Sequence, residues 1–421
     1  MTNLFFDQLK SNSNVFVQGA AATPNELLKK LTLESDQIGR INLYHIHTEG
    51  SPAYLGSPQE KNFYVKSLFV GSNLRKKINF DQFDFIPCFL SEIPALFRKN
   101  IIPLDAALVQ VSPPDKNGYC SLGTSLDVVK GAVDSAKSIY AQINPQVPRV
   151  HGDTFIHISR FKKYIEVNVP LPQAETHDLT QEELQIGKNI ADLIEDGSTL
   201  QLGIGAVPEA VLLSLNHKKN LGLHSELLTE KIIPLIKNGV INNSKKVVHP
   251  GRSVATFLNG TQELFDFVDD NPSVVLYEAS YVNSPLVIMR NPQVVAINSA
   301  VEIDVTGQVC ADSVGSRIIS GVGGQMDFLR AAAISEGGKP IIAVTSRAKN
   351  GMSRITAQLK NGAGVVTTRS HVHYVVTEYG SVNLVGRSIS ERAKMLVSIA
   401  HPDDRENLNR QIFEIFKIKT N

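Results

Sequence analysis

An α/β fold is predicted, built as two tandem homologous open domains with largely parallel sheets, and three observations predict it. Short β-branched runs alternate with longer amphipathic stretches along the chain. One ordered set of landmarks occurs twice. The 421 residues leave room for two or three domains at roughly 150 residues each.

The strand candidates are residues 41–44, 107–111, 274–277, 294–297, 341–344 and 372–377. Helix candidates lie at 24–31, 184–194, 207–215 and 388–399. Strands that alternate with helices of this length argue for parallel sheets. The repeat begins with GAAATPNELL (19–28), which resembles GIGAVPEAVL (203–212). Each is followed by an apolar strand ending in a near-identical triplet, HTE (47–49) and HSE (224–226). DKNGYCS (115–121) then has a counterpart in DVTGQVC (304–310), both between strand-like flanks, as a hairpin turn would be. The natural seam is the proline-containing stretch VPLPQAETH (169–177), which divides the chain into domains 1–178 and 179–421.

The bulk composition removes several function classes. With 42 Lys+Arg against 41 Asp+Glu the net charge is +1, which gives no electrostatic case for nucleic acid or an anionic membrane. No apolar run approaches the roughly 20 residues of a membrane helix, and the N-terminus lacks the pattern of a signal peptide. Cys88, Cys120 and Cys310 are scattered without a CxxC, so neither a disulfide framework nor a zinc site is expected, and a reducing cytoplasm is. The histidines lack ligand spacing, and HExxH, GxSxG and a Walker A motif are absent. No metal and no permanently bound cofactor are expected.

Three segments could carry chemistry. Around Gly203, Ile204, Gly205, Ala206 and Val207 the chain reads as strand, glycine turn and helix, with Pro208 suited to the first helical turn. Such a turn brings backbone N–H groups to a ligand, as a phosphate cradle or an oxyanion hole, although a plain structural turn fits the local residues equally. About twenty residues on, Glu226 closes a strand-like run, where functional groups of α/β folds commonly sit. SGVGGQMDF (320–328) packs three glycines into four residues, a density that is entropically unfavourable unless a close approach requires it.

Several longer strings resemble the acetyl-CoA hydrolase/transferase family. They are INSAVEIDVTGQ (297–308), SGVGGQMDF (320–328), VTEYG (376–380), SISERA (388–393) and IAHPDDR (399–405). The resemblance covers essentially the whole chain and is densest from Gly203 onward. It implies the CoA-transferase fold with the active site between the two domains, a homodimer or larger homo-oligomer, and coenzyme A with its acyl thioesters as substrate. It places the nucleophile at Glu226 and acyl-CoA contacts or oxyanion donors at Gly203–Val207, Gly323 and Gly324. Asn283, in YVNSP (281–285), is implied to touch the reacting centre, and the segment with Asn298 and Ala300 to run along the coenzyme. Two departures stand out: LVG (384–386) replaces the family's LRG, so Val385 stands where an Arg is usual, and Glu336 stands where many relatives carry Lys.

The implied reaction is transfer of CoA between a short-chain acyl-CoA (acetyl, propionyl, butyryl or 4-hydroxybutyryl) and a carboxylate such as acetate, through an acyl-glutamyl anhydride and a glutamyl-CoA thioester. An unperturbed glutamate, pKa about 4.3, is ionised at neutral pH but a poor nucleophile, so position and an oxyanion hole must lower the barrier. Glu49, the first-domain twin of Glu226, is the rival nucleophile, with a less open loop at Ala20–Ala22. The same residues would serve an acyl-CoA hydrolase, and a non-catalytic acyl-CoA-binding module is the alternative outside enzymes.

Overall fold

The computed structural model describes residues 4–175, 178–203 and 205–419. The large sheet of its first half is built from seven strands: β1 (Ser13–Val17), β2 (Ile41–His45), β3 (Phe63–Ser67), β4 (Phe83–Phe85), β5 (Ala106–Val111), β6 (Ser138–Ile143) and β7 (Lys163–Glu166). They form one sheet in the order β7-β6-β5-β1-β2-β3-β4. Every pairing in it is parallel. The interior strand β5, AALVQV, is buried along its whole length, as a parallel strand covered on both faces must be.

Helix α1 (Asn25–Ile38) follows Pro24, which supplies no capping side chain. Gln142 of β6 takes that part, its Oε1 accepting from the N–H groups of Glu26 and Leu27 at 3.0 and 3.2 Å. These are two of the orphan donors every helix start leaves. A second, shorter helix, α2 (Val129–Ser135), precedes β6.

The second half repeats the plan with β8 (Thr199–Leu202), β9 (Gly222–Leu223), β10 (Ser253–Ala255), β11 (Val274–Leu276), β12 (Val294–Ser299), β13 (Lys339–Ala343), β14 (Tyr374–Thr377) and β15 (Gly380–Asn383). Its large sheet runs β9-β8-β12-β13-β14-β15, antiparallel only between β14 and β15. Read backwards, β14-β13-β12-β8-β9 matches β7-β6-β5-β1-β2. The match extends further, because a parallel bridge from His224 to Val254 carries β9 on to β10, and β10 pairs with β11. The predicted tandem repeat is therefore present in strand order and direction, and its helices α3 (Gln181–Ala191) and α4 (Ala206–Leu213) fall at or near predicted positions, whereas α5 (Gln325–Ile334) is not among the predicted helices. Thr180 and Glu183 close a capping box on α3.

The hairpin expectation holds at residues 304–307, where Glu302–Asp304 pairs antiparallel with Val309–Cys310. At 115–118 the turn forms, with Asp115 N–H donating to the Tyr119 carbonyl at 2.9 Å, but the outgoing strand Tyr119–Ser121 pairs with Phe155–His157 instead. Thr176 and His177, in the predicted seam, lie outside the described residues.

The halves interlock by exchanged backbone bonds. Val70 and Leu90 donate to the carbonyls of Ser320 and Gly323, at 3.3 and 3.0 Å. In return Leu126 donates to Thr256, Leu258 to Thr124 and Ala279 to Asp127. One apolar core spans both, joining Phe16 and Val109 to Leu200 and Ile297. Among the described residues no helix is long and apolar enough to cross a membrane.

Candidate active site

The HSE triplet follows β9, and each of its residues is tied down. His224 Nε2 lies 2.8 Å from the Val282 carbonyl. The Ser225 hydroxyl bonds both the N–H and the carbonyl of Leu202, at the end of β8, at 3.1 Å each. The Glu226 carbonyl accepts from Thr256 N–H at 2.9 Å, Thr256 Oγ1 at 2.7 Å and Phe257 N–H at 3.2 Å. With its backbone pinned from both sides, Glu226 presents its carboxyl at the junction of the halves.

That carboxyl sits in a close-fitting cradle. Its Oε2 accepts from Asn283 Nδ2 at 3.0 Å, and Asn283 is wholly buried. The α-carbon of Gly324 leaves no room for a side chain, since a Cβ there would lie 2.0 Å from Glu226 Oε2 and 2.3 Å from Asn283 Nδ2. Gly323 precedes it with φ +58°, a conformation glycine adopts at no steric cost. Burial lifts the Glu226 pKa to about 7. The Asn283 amide and the Gly324 N–H oppose that lift, and the charges of Asp327 and Asp127 add to it. Asp327 and Asp127 are themselves raised by burial, to about 7 and about 6. The expectation of an ordinarily ionised glutamate is thus corrected: desolvation and two neighbouring acids outweigh the amide donors, and a large fraction of Glu226 is protonated at neutral pH.

A cavity of about 130 Å³ opens on Glu226. Its lining includes Gly203, Gln201 and Asn298, the loop Gly321–Gly324, and Phe69 from the first half. Asn298 is held by Gln201, Nδ2 to Oε1 at 2.8 Å. Gly203 lines the wall but is no free donor, because its N–H bonds the Ile297 carbonyl at 2.9 Å.

Glu226, Asn283, Asn298, Gly203, Gly323 and Gly324 therefore come together, while other predicted site residues do not. The chain turns at Gly205, φ +116°, into α4, and Gly205 and Ala206 line a neighbouring cleft together with Glu49 and Glu230. Val207, in the first turn of α4, is buried. Ala300 is buried, its carbonyl accepting from Arg354 at 3.0 Å. Ile204 lies outside the described residues. The rival Glu49 is raised by burial and then by the charge of Glu175, but its cleft is not the one that holds Asn283 and the GVGG loop. Val385 and Glu336, the two departures, are exposed and line neither cavity beside Glu226.

Sequence reasoning missed Phe69, His47, Asp127 and Asp327. A signal for the acids existed: SLDVVKGA (125–132) and QMDFLRAA (325–332) align residue for residue, preceded by Gly123 and Gly323, both with positive φ. Asp127 and Asp327 are repeat partners that converge on one glutamate.

Twin parallel sheets with a caged carboxylate at their junction define the class of protein before any comparison does. Residues 2–175 match the acetyl-CoA hydrolase/transferase N-terminal domain, and residues 260–412 match the C-terminal domain of the same family. The chain belongs to the acetyl-CoA hydrolase/transferase family. It is 47% identical to the 4-hydroxybutyrate coenzyme A transferase of Clostridium kluyveri, over 97% of this chain and 96% of that protein. It is 48% identical to the succinyl-CoA:acetate/propanoyl-CoA:succinate CoA transferase of Fasciola hepatica, over 98% of this chain and 87% of the other. The crystal structure of RipA from Yersinia pestis superimposes with a TM-score of 0.92 at 34% identity, covering 97% of this chain and 95% of that one. Glu226 falls between the two matched segments, so its part in the site rests on the geometry above.

Proposed function

We propose that the protein moves CoA between a short-chain acyl-CoA, such as acetyl-, propionyl-, butyryl- or 4-hydroxybutyryl-CoA, and a carboxylate acceptor such as acetate, with Glu226 as nucleophile. The observation that carries this reading is the cage of Asn283 and Gly324 around the Glu226 carboxylate. Family membership and the CoA-transferase names of relatives at 47% and 48% identity support it.

In this mechanism the ionised Glu226 attacks the thioester carbonyl, the C–S bond breaks, and CoA leaves as thiolate, giving an acyl-glutamyl anhydride. The thiolate then attacks the Glu226 carboxyl carbon and releases the donor's carboxylate, leaving glutamyl-CoA. The acceptor carboxylate runs both steps in reverse. A pKa near 7 makes the ionised Glu226 a stronger nucleophile than a solvated carboxylate. N–H groups of Gly323 and Gly324 serve as donors to the oxyanion, an effect worth about 100- to 1,000-fold in rate for one donor. Gly205, Ala206 and Val207 stand apart from the carboxylate and are left to the CoA moiety, whose remote binding energy offsets the cost of the anhydride step.

The same reading divides the chain into units 1–178 and 179–421, places it in the cytoplasm as a homodimer or larger homo-oligomer, and needs no resident cofactor. Incubation with butyryl-CoA without acceptor, borohydride reduction and peptide mass analysis test it. Reduction of Glu226 to the alcohol in peptide 220–231 is expected. Modification of Glu49 instead moves the nucleophile, and no modification with CoA still bound overturns the transferase reading. Added acetate separates it from a hydrolase, which would release free CoA without forming acetyl-CoA.

A further inference from the structure

Beside the main cavity, a second and smaller recess adjoins Glu226. It has about 10 Å³ of room, which admits one water molecule and no acyl chain. Its apolar walls are Ile46, Phe69 and Leu90 from the first half and Phe257 from the second. Three polar side chains complete the lining: His47, Asp127 and Glu226. A buried water typically makes about three hydrogen bonds, and these side chains can supply them.

His47 is the group without a partner. Its place is fixed, because the Ala20 N–H donates to its carbonyl at 2.8 Å. Its ring sits edge-on to Phe69 and tilts against Phe257, with centroids 5.8 and 5.1 Å away. Its Nδ1 is buried and bonds no group among the described residues. Burial first, and then the neighbouring His45, hold its pKa down to about 4. The ring is therefore neutral at physiological pH and carries one N–H and one bare nitrogen. Leaving Nδ1 unpaired against apolar walls costs the desolvation of a polar group, and a water in the recess removes that cost. Asp127 accepts from the Ser125 hydroxyl and the Val128 N–H, one on each oxygen, and each oxygen keeps a second lone pair.

We infer that the recess holds one ordered water, anchored by His47 Nδ1–H, which donates a hydrogen bond to the Glu226 carboxylate and makes His47 a positioning residue for the nucleophile. The inference deepens the transferase reading and rests on it. Accepting from Nδ1–H leaves the water both of its own hydrogens, one for Glu226 and one for Asp127. A donor to a carboxylate favours its charged form. The water does so from the side of the first half, as the Asn283 amide does from the second. The titratable groups that face Glu226 are His47 and Asp127 from the first half and Asp327 from α5, and no Lys or Arg lines either space among the described residues. Both acids disfavour a charge on Glu226, so the water joins Asn283 and the Gly324 N–H in opposing them.

The test reads the pH profile of kcat/KM for CoA transfer from acetyl-CoA to butyrate in wild type, His47→Phe, His47→Asn and His47→Gln. Phe keeps the packing against Phe69 and Phe257 without either nitrogen. The Asn amide reaches the place of Nδ1, and the Gln amide that of Nε2. Loss of the water should raise the acid limb in His47→Phe by about one pH unit, a loss of about tenfold at pH 6 that shrinks as the pH rises. His47→Asn should bring the limb back toward its wild-type position, and His47→Gln should not. A limb that stays in place in His47→Phe, with activity lowered equally at every pH, overturns the inference. So does restoration by Gln rather than by Asn. If His47→Phe fails to fold, the comparison of Asn with Gln decides alone, and equal limbs in those two overturn it. Borohydride trapping at Glu226 with acetyl-CoA alone is run alongside. A trapped thioester with an unmoved limb sinks only this inference, whereas no thioester in the wild type sinks the transferase reading beneath it.

Discussion

At the scale of single residues, the protonation of Glu226 governs both rate and stability. Its ionised form is the nucleophile, and burial sets its pKa near 7, so kcat/KM should fall about tenfold per pH unit below that point. Asn283 favours the charged form, so Asn283→Ala should move the acid limb to higher pH. Asp327 opposes it by charge, so Asp327→Asn should move the limb to lower pH. Opposite displacements in the two pH profiles are the check, and a limb that stays put in both would remove these groups from the titration. Stability follows the same linkage with a definite sign. The folded pKa lies above the ordinary 4.5, so the carboxyl costs nothing below pH 4.5, costs more as pH rises to 7, and costs a constant amount above. Glu226→Gln should therefore stabilise the fold at pH 8 by on the order of 2 kcal/mol and leave it unchanged at pH 4, as denaturant unfolding at the two pH values would reveal. The raised pKa was not legible in the sequence. The triplet position singled out Glu226 and the resemblance implied Asn283, 57 residues on, but the acids that add to the burial, Asp127 and Asp327, lie 99 and 101 residues away and were marked only by the alignment of their repeat segments.

At the scale of elements, loops and helix starts divide into those the sequence resolves and those it cannot. Three glycines in four residues marked the 321–324 loop as a place of close approach, and the closest approach proves to be Gly324 to Glu226. Gly324→Ala should place a methyl where the carboxylate lies, reducing transferase activity by at least about 100-fold and costing roughly 1–3 kcal/mol in stability. Retention of near-normal kcat in that variant would mean the carboxylate sits elsewhere in the working enzyme. The 203–207 turn was as visible in the sequence, yet among its described residues only Gly203 lines the Glu226 cavity, because Gly205 redirects the chain into α4. A strand–turn–helix pattern fixes the turn but not the cavity it borders, since that depends on the opposite half. The start of α1 makes the same point, for its cap is Gln142, 116 residues on. Gln142→Leu should destabilise the protein by about 1–3 kcal/mol through two unsatisfied N–H groups, read as a lowered thermal midpoint.

For the whole molecule, duplication explains both what could be read and where reading stopped. The repeated landmarks follow from chain order, so the α/β class, the parallel strands and the two matching halves were open to inspection. The way one half inserts into the other is not periodic and left no such mark. Phe69 and Leu90 meet the GVGG loop, while Thr124 and Asp127 bond the 256–258 segment, whose N–H groups at 256 and 257 hold the Glu226 carbonyl. These contacts are reciprocal, as expected when two copies of one plan face each other, yet only one junction holds Asn283 against a glutamate. The apolar core runs unbroken from Phe16 through Val109 to Leu200 and Ile297, so separating the halves would expose both sides of it. Fragments 1–178 and 179–421 expressed alone should therefore lack a cooperative thermal transition and transferase activity. The intact chain should unfold in one transition, coincident by circular dichroism and by tyrosine fluorescence. Two separated transitions in the intact chain, or a fragment that folds cooperatively, would mean the exchanged loops dock two pre-formed bodies. The single transition would mean that Glu226 acquires its cage only when both halves fold together.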